Sequence, residues 1–438
     1  MKQFTWGIIG PGKIANKFAV ALTLVEGARL GAVASRDIAR ALSFADAHNS
    51  SPEDPIRVYD SYEALASDPS IDAVYIATPH GYHAEHAILC LSHGKAVLCE
   101  KPMALSARQV SEMINAARTH RAFLMEAMWT RFLPLTEQIT QLIGDGQIGD
   151  LRYIRADFGF LAPFNPDGRL FDLRLGGGSL LDIGIYPLFL CLHLLGEPQQ
   201  VTAVGHLAPT GADDTCHAIL QFHEGRSAVI TSTLTCQTSI TAEIAGTHGA
   251  IHIPTPWYKN DRFTIQHSPQ PSASAQSRQA PPDQSPPASQ PAQSPGSTIS
   301  HQSPATTQPP QSPGTTQSSQ SPGGTQSAQS SRATQSAQSP GPTQSSQSPG
   351  ATQSSQAPGA TQSSQSPGAI RSSISPQEPQ LIQLEPMING FEYQIRETMS
   401  CVSSNQIESP KMSFDFSLLM ARTMDTIRTQ LGVRYPTE

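Results

Sequence analysis

A strand, a glycine turn and a helix open this chain, and together they restrict its first half to one kind of domain. Trp6-Gly7-Ile8-Ile9 reads as a buried strand, Gly10-Pro11-Gly12-Lys13-Ile14-Ala15 follows at once, and a helix runs on toward Leu24. The spacing is G-x-G-x-x-[GA]. Its glycines let backbone approach a pyrophosphate, the helix N-terminus attracts the negative charge, and Ala15 permits close packing of helix on strand. The segment predicts a dinucleotide-binding α/β domain with Gly10, Gly12, Lys13 and Ile14 around the phosphates.

The alternation continues. A second strand, residues 30–34, ends at Ser35-Arg36, where an acid would take the ribose 2′-hydroxyl of NAD. A serine and an arginine suit a 2′-phosphate instead, so NADP(H) is expected over NAD(H). Arg40, one helical turn on, reinforces that contact, stacks on the adenine or is a solvated helix arginine. A further strand, residues 71–77, runs into Thr78-Pro79-His80-Gly81-Tyr82-His83, a loop at the carboxyl edge of the sheet that could wall the nicotinamide ribose. No third ligand lies near His80 and His83 in the sequence, so no metal is expected; a loop histidine and a helix-start histidine account for them.

The next strand, Val97-Leu98-Cys99-Glu100-Lys101-Pro102, must stop at its proline, which leaves Lys101 at the edge where ligands bind. A lysine there becomes a usable general acid once partial burial or positive neighbours lower its pKa, and Glu100 beside it could hold its orientation. Ser106-Ala107-Arg108-Gln109 has the form of a capping box, with Val110, Met113, Ile114 and Ala117 as the apolar face of the helix that follows. A strand ending at Glu126 closes this half. Trp129 and Arg131, just beyond, form either a substrate wall or an interdomain packing contact.

From Leu151 the periodicity changes to two, with Tyr153, Arg155 and Asp157 alternating with Ile154, Ala156 and Phe158. Further strands are expected at 202–206, 216–222, 227–235 and 241–245, joined by short turns, so they read as a mostly antiparallel sheet. Between the strand at 151–158 and the one at 202–206 lies Gly176-Gly177-Gly178-Ser179-Leu180-Leu181-Asp182-Ile183-Gly184-Ile185-Tyr186. Glycines ahead of a helix let it approach other backbone, and Asp182 and Tyr186, four apart, share one helical face. A carboxylate and a phenol on an otherwise apolar helix need a partner; a helix cap plus a buried tyrosine bonded to backbone would also answer.

Residues 268–378 are different material. Thr-Gln recurs at 307, 316, 325, 334, 343, 352 and 361, and between Ile299 and Ile370 there is no Val, Ile, Leu, Met or aromatic residue. Such a tract cannot bury enough apolar surface to offset ordering entropy, so a disordered insert is expected. Order is expected to return at 381–384, followed by helices near 391–402 and 416–431, which places the insert at the tip joining strand 262–266 to strand 381–384. Three regions result: 1–126, a split second domain of 127–267 and 379–438, and the 268–378 insert. A formal net charge of -7 and a pI near 6.0 supply no basic field for nucleic acid or an anionic membrane. Six cysteines lie far apart without a C-x-x-C pair, and no signal peptide or membrane span is read, so a soluble cytoplasmic protein with reduced thiols is expected.

With these segments assembled, the chain resembles the glucose-fructose oxidoreductase, inositol dehydrogenase and rhizopine-catabolism (Gfo/Idh/MocA) family of NAD(P)-dependent oxidoreductases, through residues 10–15, 77–79, 100–102 and 176–186. Residues 125–132, 180–187 and 431–436 look most like its dimeric dihydrodiol dehydrogenase branch. The resemblance covers everything outside 268–378. It implies a Rossmann domain, a second α/β domain with a large open sheet, a homodimer made through those sheets, and Lys101 as a catalytic residue with Tyr186 where many relatives carry histidine. Members act on sugars, polyols or aromatic dihydrodiols. Hydride transfer between NADP and a secondary alcohol is therefore expected, with Lys101 and Tyr186 moving the hydroxyl proton, a nearby Lys⁺ lowering the tyrosine pKa, and Asp182 orienting them. Thr78, Pro79, His80, His83, Glu100 and Lys101 are further cofactor candidates; Trp129, Arg131, Phe158, Asp182 and Tyr186 are substrate candidates. A non-catalytic NADP(H)-binding regulator and a redox-neutral, nicotinamide-assisted glycosidase are the alternatives.

Overall fold

β1 (Phe4–Ile9) is the axis of the first sheet, with Trp6, Ile8 and Ile9 wholly buried. Around it lie β2 (Ala28–Ala34), β3 (Arg57–Tyr59), β4 (Ala73–Ile76), β5 (Ala96–Glu100) and β6 (Leu124–Ala127), in the order β3-β2-β1-β4-β5-β6. Every pairing is parallel. Helices α1 (Lys13–Leu22), α2 (Ile38–His48), α3 (Tyr62–Ser67), α4 (His83–Ser92) and α5 (Ala107–His120) connect the strands. Parallel strands covered on both faces need continuous apolar runs, which β4 and β5 supply, buried throughout. The strand order reverses between β1 and β4, and a ligand crevice opens at such a reversal.

The computed structural model describes residues 3–49, 53–268 and 378–436. Apart from its two end residues, Ser268 and Glu378, the predicted insert lies outside the described residues.

The second sheet has eight strands: β7 (Leu151–Gly159), β8 (Gln200–Leu207), β9 (Asp213–Gln221), β10 (Ser227–Thr233), β11 (Ala242–Gly246), β12 (Gly249–Ile253), β13 (Arg262–His267) and β14 (Gln380–Gln383). Their order is β14-β13-β12-β11-β7-β10-β9-β8, antiparallel except where β7 meets β10. One face is buried and the other open: in β9, Cys216, Ala218 and Leu220 point inward while His217, Ile219 and Gln221 point out. β13 pairs with β14 from Arg262↔Gln383 to Ile265↔Gln380, the hairpin expected to flank the insert.

Helices α6 (Pro134–Gly144) and α7 (Ile185–Leu195) accompany this sheet. The run Leu173–Leu195 is long and apolar enough to cross a membrane by length and composition alone, and 89% of its most apolar window is buried inside the protein. The C-terminal helix Phe414–Leu431 ties the two sheets together. Its Asp425 accepts the Ala107 N–H at the start of α5 (2.9 Å), and its Gln430 accepts the Ala203 N–H of β8 (2.7 Å).

Candidate active site

A cleft of about 1090 Å³ runs from the glycine turn to the start of α7. At its outer end Gly10 adopts φ +88°, and a Cβ there would lie 2.9 Å from the Ala77 carbonyl carbon. Gly12 is different: the nearest atom to a Cβ would be 4.0 Å away. Packing of the protein therefore does not demand that glycine, and its absent side chain leaves backbone bare toward the cleft. Gly12 is also the N-cap of α1, with no side-chain cap and no acid in the first turn, so the helix's leading N–H groups are left for an anion. A dinucleotide pyrophosphate fits this cradle, and Lys13 and Ile14 line it.

Ser35, Arg36 and Arg40 line the same cleft. The Arg36 guanidinium lies over the Tyr82 ring, 5.3 Å from its centroid. Asp37 also faces the cleft, but its carboxylate is turned to the start of α2, where it accepts the N–H groups of Ala39 (3.1 Å) and Arg40 (3.4 Å). Thr78, Pro79, His80 and His83 form the wall after β4. His80 donates from Nδ1 to the Gly176 carbonyl (3.0 Å), and burial, with His83 and Lys101 nearby, lowers its pKa to about 3. His83 has both ring nitrogens 2.8 Å from carbonyl oxygens, of Pro102 and of Thr78. It clasps two loops while lining the cleft.

Lys101 and Asp182 meet at the inner end of the cleft. Lys101 Nζ donates to the Asp182 backbone carbonyl (2.5 Å), and its distance to the carboxylate Oδ1 is 3.9 Å. Burial pushes the ammonium pKa down, and the charges of Asp182 and Glu100 oppose that. Glu100 is committed beside it, accepting from the buried Tyr75 hydroxyl and from the Lys101 N–H (3.1 Å). Burial would raise Asp182, yet Lys101, Arg169 and His80 together bring it down to about 2. It stands ionised in the cleft.

The segment carrying Asp182 departs from the predicted regular helix: Leu180–Gly184 is a π-helical turn that passes into α7. Its start is held by Asp213, whose Oδ2 accepts the Ser179 hydroxyl and the Leu180 N–H, both at 2.7 Å. The glycines before it serve close approach, as expected. A Cβ on Gly177 would sit 2.9 Å from the backbone of Leu170 and Phe171, and the Gly177 and Gly178 N–H groups donate to the carbonyls of Asp172 and Leu170 (both 3.0 Å). This lacing delivers Arg169, a residue that the sequence did not single out, whose Nη1 donates to Asp182 Oδ1 at 2.8 Å.

Aromatic rings close the inner wall. Tyr186 and Trp129 line the cleft, and the Trp129 indole N–H donates to the Tyr186 hydroxyl (3.1 Å), leaving that phenol its own proton to give. Lys101 Nζ lies over the Tyr186 ring, 4.7 Å from the centroid, without a bond to the hydroxyl. The expected lowering of the Tyr186 pKa is not what the surroundings produce; burial raises it, so the phenol is held neutral. Phe391 stacks on Trp129, and Phe158 with Tyr258 packs behind Tyr186. Arg131 does not belong here: its Nε donates to the Lys411 carbonyl (2.9 Å), outside the cleft.

Known proteins match this chain in sequence and in fold. Residues 4–128 match the model of the GFO_IDH_MocA oxidoreductase family, NAD-binding Rossmann fold, and residues 136–252 match the GFO/IDH/MocA C-terminal domain. A trans-1,2-dihydrobenzene-1,2-diol dehydrogenase from Xenopus tropicalis is 41% identical over 279 residues, 61% of this chain and 82% of that protein. The Homo sapiens protein of the same name is 40% identical over 255 residues, 57% and 74% of the two chains. Among solved structures, a 3-ketoreductase from Actinomadura kijaniata in complex with NADP and TDP-benzene aligns at TM-score 0.65 with 20% identity over 98% of each chain. An aldose-aldose oxidoreductase from Caulobacter crescentus aligns at 0.66 with 19% identity, over 98% and 97%. At those identities the structures speak for the fold alone, whereas the relatives at about 40% identity and the two family models settle descent: the chain belongs to the Gfo/Idh/MocA family of oxidoreductases.

Proposed function

We propose that this oxidoreductase interconverts a secondary alcohol and its carbonyl on a sugar, polyol or trans-dihydrodiol, using NADP(H). The observation that carries the reading is the meeting of Lys101, Asp182 and Tyr186 in the cleft that begins at the glycine turn. A nicotinamide dinucleotide held by Gly10, Gly12, Lys13 and Ile14 would accept or supply the hydride. Lys101 exchanges the proton with the substrate oxygen: burial makes its ammonium a readier donor than an exposed lysine and its amine a base nearer neutral pH. Tyr186 stays protonated and donates a hydrogen bond that orients the same oxygen, its own oxygen being steadied by Trp129. The aromatic wall of Trp129, Tyr186 and Phe391 favours a flat ring, in keeping with relatives named dihydrodiol dehydrogenases.

Replacing Lys101 by methionine should lower turnover at least about a hundredfold while NADPH still binds, since general acid–base catalysis contributes about 10²–10⁴. Absorbance of NADPH, followed across sugars, osones and dihydrodiols, separates this reading from its rivals. Glycoside cleavage without net cofactor turnover would indicate the glycosidase, and tight binding without any reaction the regulator.

The preference for NADP rests on Ser35, Arg36 and Arg40 at the end of β2, together with an Asp37 carboxylate spent as a helix cap. Arg36→Ala should weaken NADP by about tenfold or more and NAD little, because a charge-assisted bond contributes about 1.5–3 kcal/mol. Equal losses would remove Arg36 from the 2′-phosphate. The open face of the eight-stranded sheet, with Val204 65% and Ile219 49% exposed on adjacent strands, supports a homodimer, which sedimentation would read directly.

A further inference from the structure

Arg169 belongs to no helix or strand, and yet its position is fixed. Its turn is held by the Phe171 and Asp172 N–H groups donating to the Gly168 carbonyl (both 2.9 Å) and is laced to Gly177 and Gly178 on its other side. The side chain is 58% exposed and lines the cleft, and its bond goes to Asp182 Oδ1. That same oxygen is the carboxylate atom nearest Lys101, at 3.9 Å, too far for a hydrogen bond. The Lys101 ammonium is satisfied instead by the backbone carbonyl of Asp182. One carboxylate thus stands between two cations and is bonded to only one of them.

We propose that Arg169 is a positioning residue that holds the Asp182 carboxylate off the Lys101 amine and thereby sets the pH at which that amine exchanges protons. A carboxylate in direct contact with Lys101 would favour the ammonium and keep it charged to higher pH. Arg169 prevents this twice over, by occupying Oδ1 and by adding a second positive charge to the site. Among the other groups facing Lys101, Glu100 also favours the ammonium, but from a fixed position that Arg169 does not touch. Glu100 is bonded to the Tyr75 hydroxyl and the Lys101 N–H, the Tyr186 and Tyr258 phenols are kept protonated by burial, and His80 and His83 are bound to carbonyl oxygens. Burial likewise lowers the Lys101 pKa, in the direction that the held-off carboxylate permits.

The inference rests on Lys101 being the proton-exchanging group, and the experiment keeps the two apart. In Arg169→Gln, the limb of the pH–rate profile that Lys101 governs should move to higher pH by about one unit in both directions of reaction, the size expected for losing one charge at several ångströms. Arg169→Lys should recover most of that shift. Acylation of Lys101 in the full-length protein, followed by peptide mass spectrometry as a function of pH, should show the same displacement without any turnover. A loss of rate with the limb and the acylation profile unmoved would overturn the proposal, because it would make Arg169 merely structural. If Lys101→Met retains turnover, the reading of Lys101 fails instead, while the acylation profile still tests Arg169.

Discussion

At Gly12 a Cβ would find no atom nearer than 4.0 Å, whereas at Gly177 it would sit 2.9 Å from the backbone of Leu170 and Phe171. Both residues lie in short glycine-rich stretches that open helices bordering one cleft, and they serve opposite partners. The first stretch keeps backbone bare toward the cleft. The second is filled by the protein, which brings Arg169 to Asp182 and sets the turn from which Asp182 projects. A glycine signature at a helix start thus has two physical origins, and only the space around the missing Cβ separates them.

The sharpest way to break the comparison is to add the missing atoms. Gly177→Ala should cost about 1–3 kcal/mol of stability, because the neighbours in its path are backbone and cannot swing aside. Turnover should fall with it as the Arg169 turn is displaced. Gly12→Ala should lower the melting temperature of the cofactor-free protein much less than Gly177→Ala does, and weaken NADPH binding at least about tenfold. Thermal melts with and without NADPH read both variants, and equal destabilisation of the two apo proteins would erase the distinction.

How much of this was legible follows the same division. The β1–turn–α1 unit was plain because three local signals, an apolar run, fixed glycine spacing and helical periodicity, agree over residues 6–24. Lys101, Asp182 and Tyr186 were legible as residues, and the structure brings them into one cleft. Their geometry was not, since the π-helical turn at Leu180–Gly184 depends on Asp213, a residue 33 positions from Leu180. Arg169 and Tyr258 carry no periodicity at all, and their importance comes from what other segments place beside them. Arg131 stayed ambiguous for the same reason: beside Trp129 in sequence it suggests a substrate wall or a packing contact, and its partner, the Lys411 carbonyl, is 280 residues on. β3, of three residues, was too short for alternation to register, whereas β12, of five, follows β11 so closely that the two read as one segment.

Asp213 supplies a gentler test of the second glycine stretch. Burial raises its carboxyl from 3.8 to about 6, although Ser179 and Leu180 both donate to it. The folded protein therefore holds this proton more tightly than the unfolded chain does. The stability it contributes is fully present below about pH 4 and is lost as pH rises through about 6, with a slope of at most about 1.4 kcal/mol per pH unit. Asp213→Asn keeps an oxygen for Ser179 and Leu180 and removes the titration, so its stability should be flatter across that window. Denaturant melts of the two proteins between pH 4 and 7 check this, and parallel curves would take Asp213 out of the pH dependence.

The smallest effect should come from the longest change. β13 and β14 pair antiparallel from Arg262↔Gln383 to Ile265↔Gln380, so the chain on either side of residues 269–377 is already brought together by strand pairing. Closing a longer loop costs only about 0.6 kcal/mol more per doubling of length, so the hairpin gains little from a shorter connection. The cleft is lined by residues from Gly10 to Tyr186 and by Phe391, and the sequence of the insert offers little that could act as an acid, a base or a phosphate ligand. Replacing residues 270–376 with a short turn containing Asn-Gly should therefore leave NADPH affinity and turnover per active site unchanged. A variant that folds and binds NADPH normally but loses turnover would show that the insert acts on the cleft, and the division between ligand-facing and packing segments would then need a third kind.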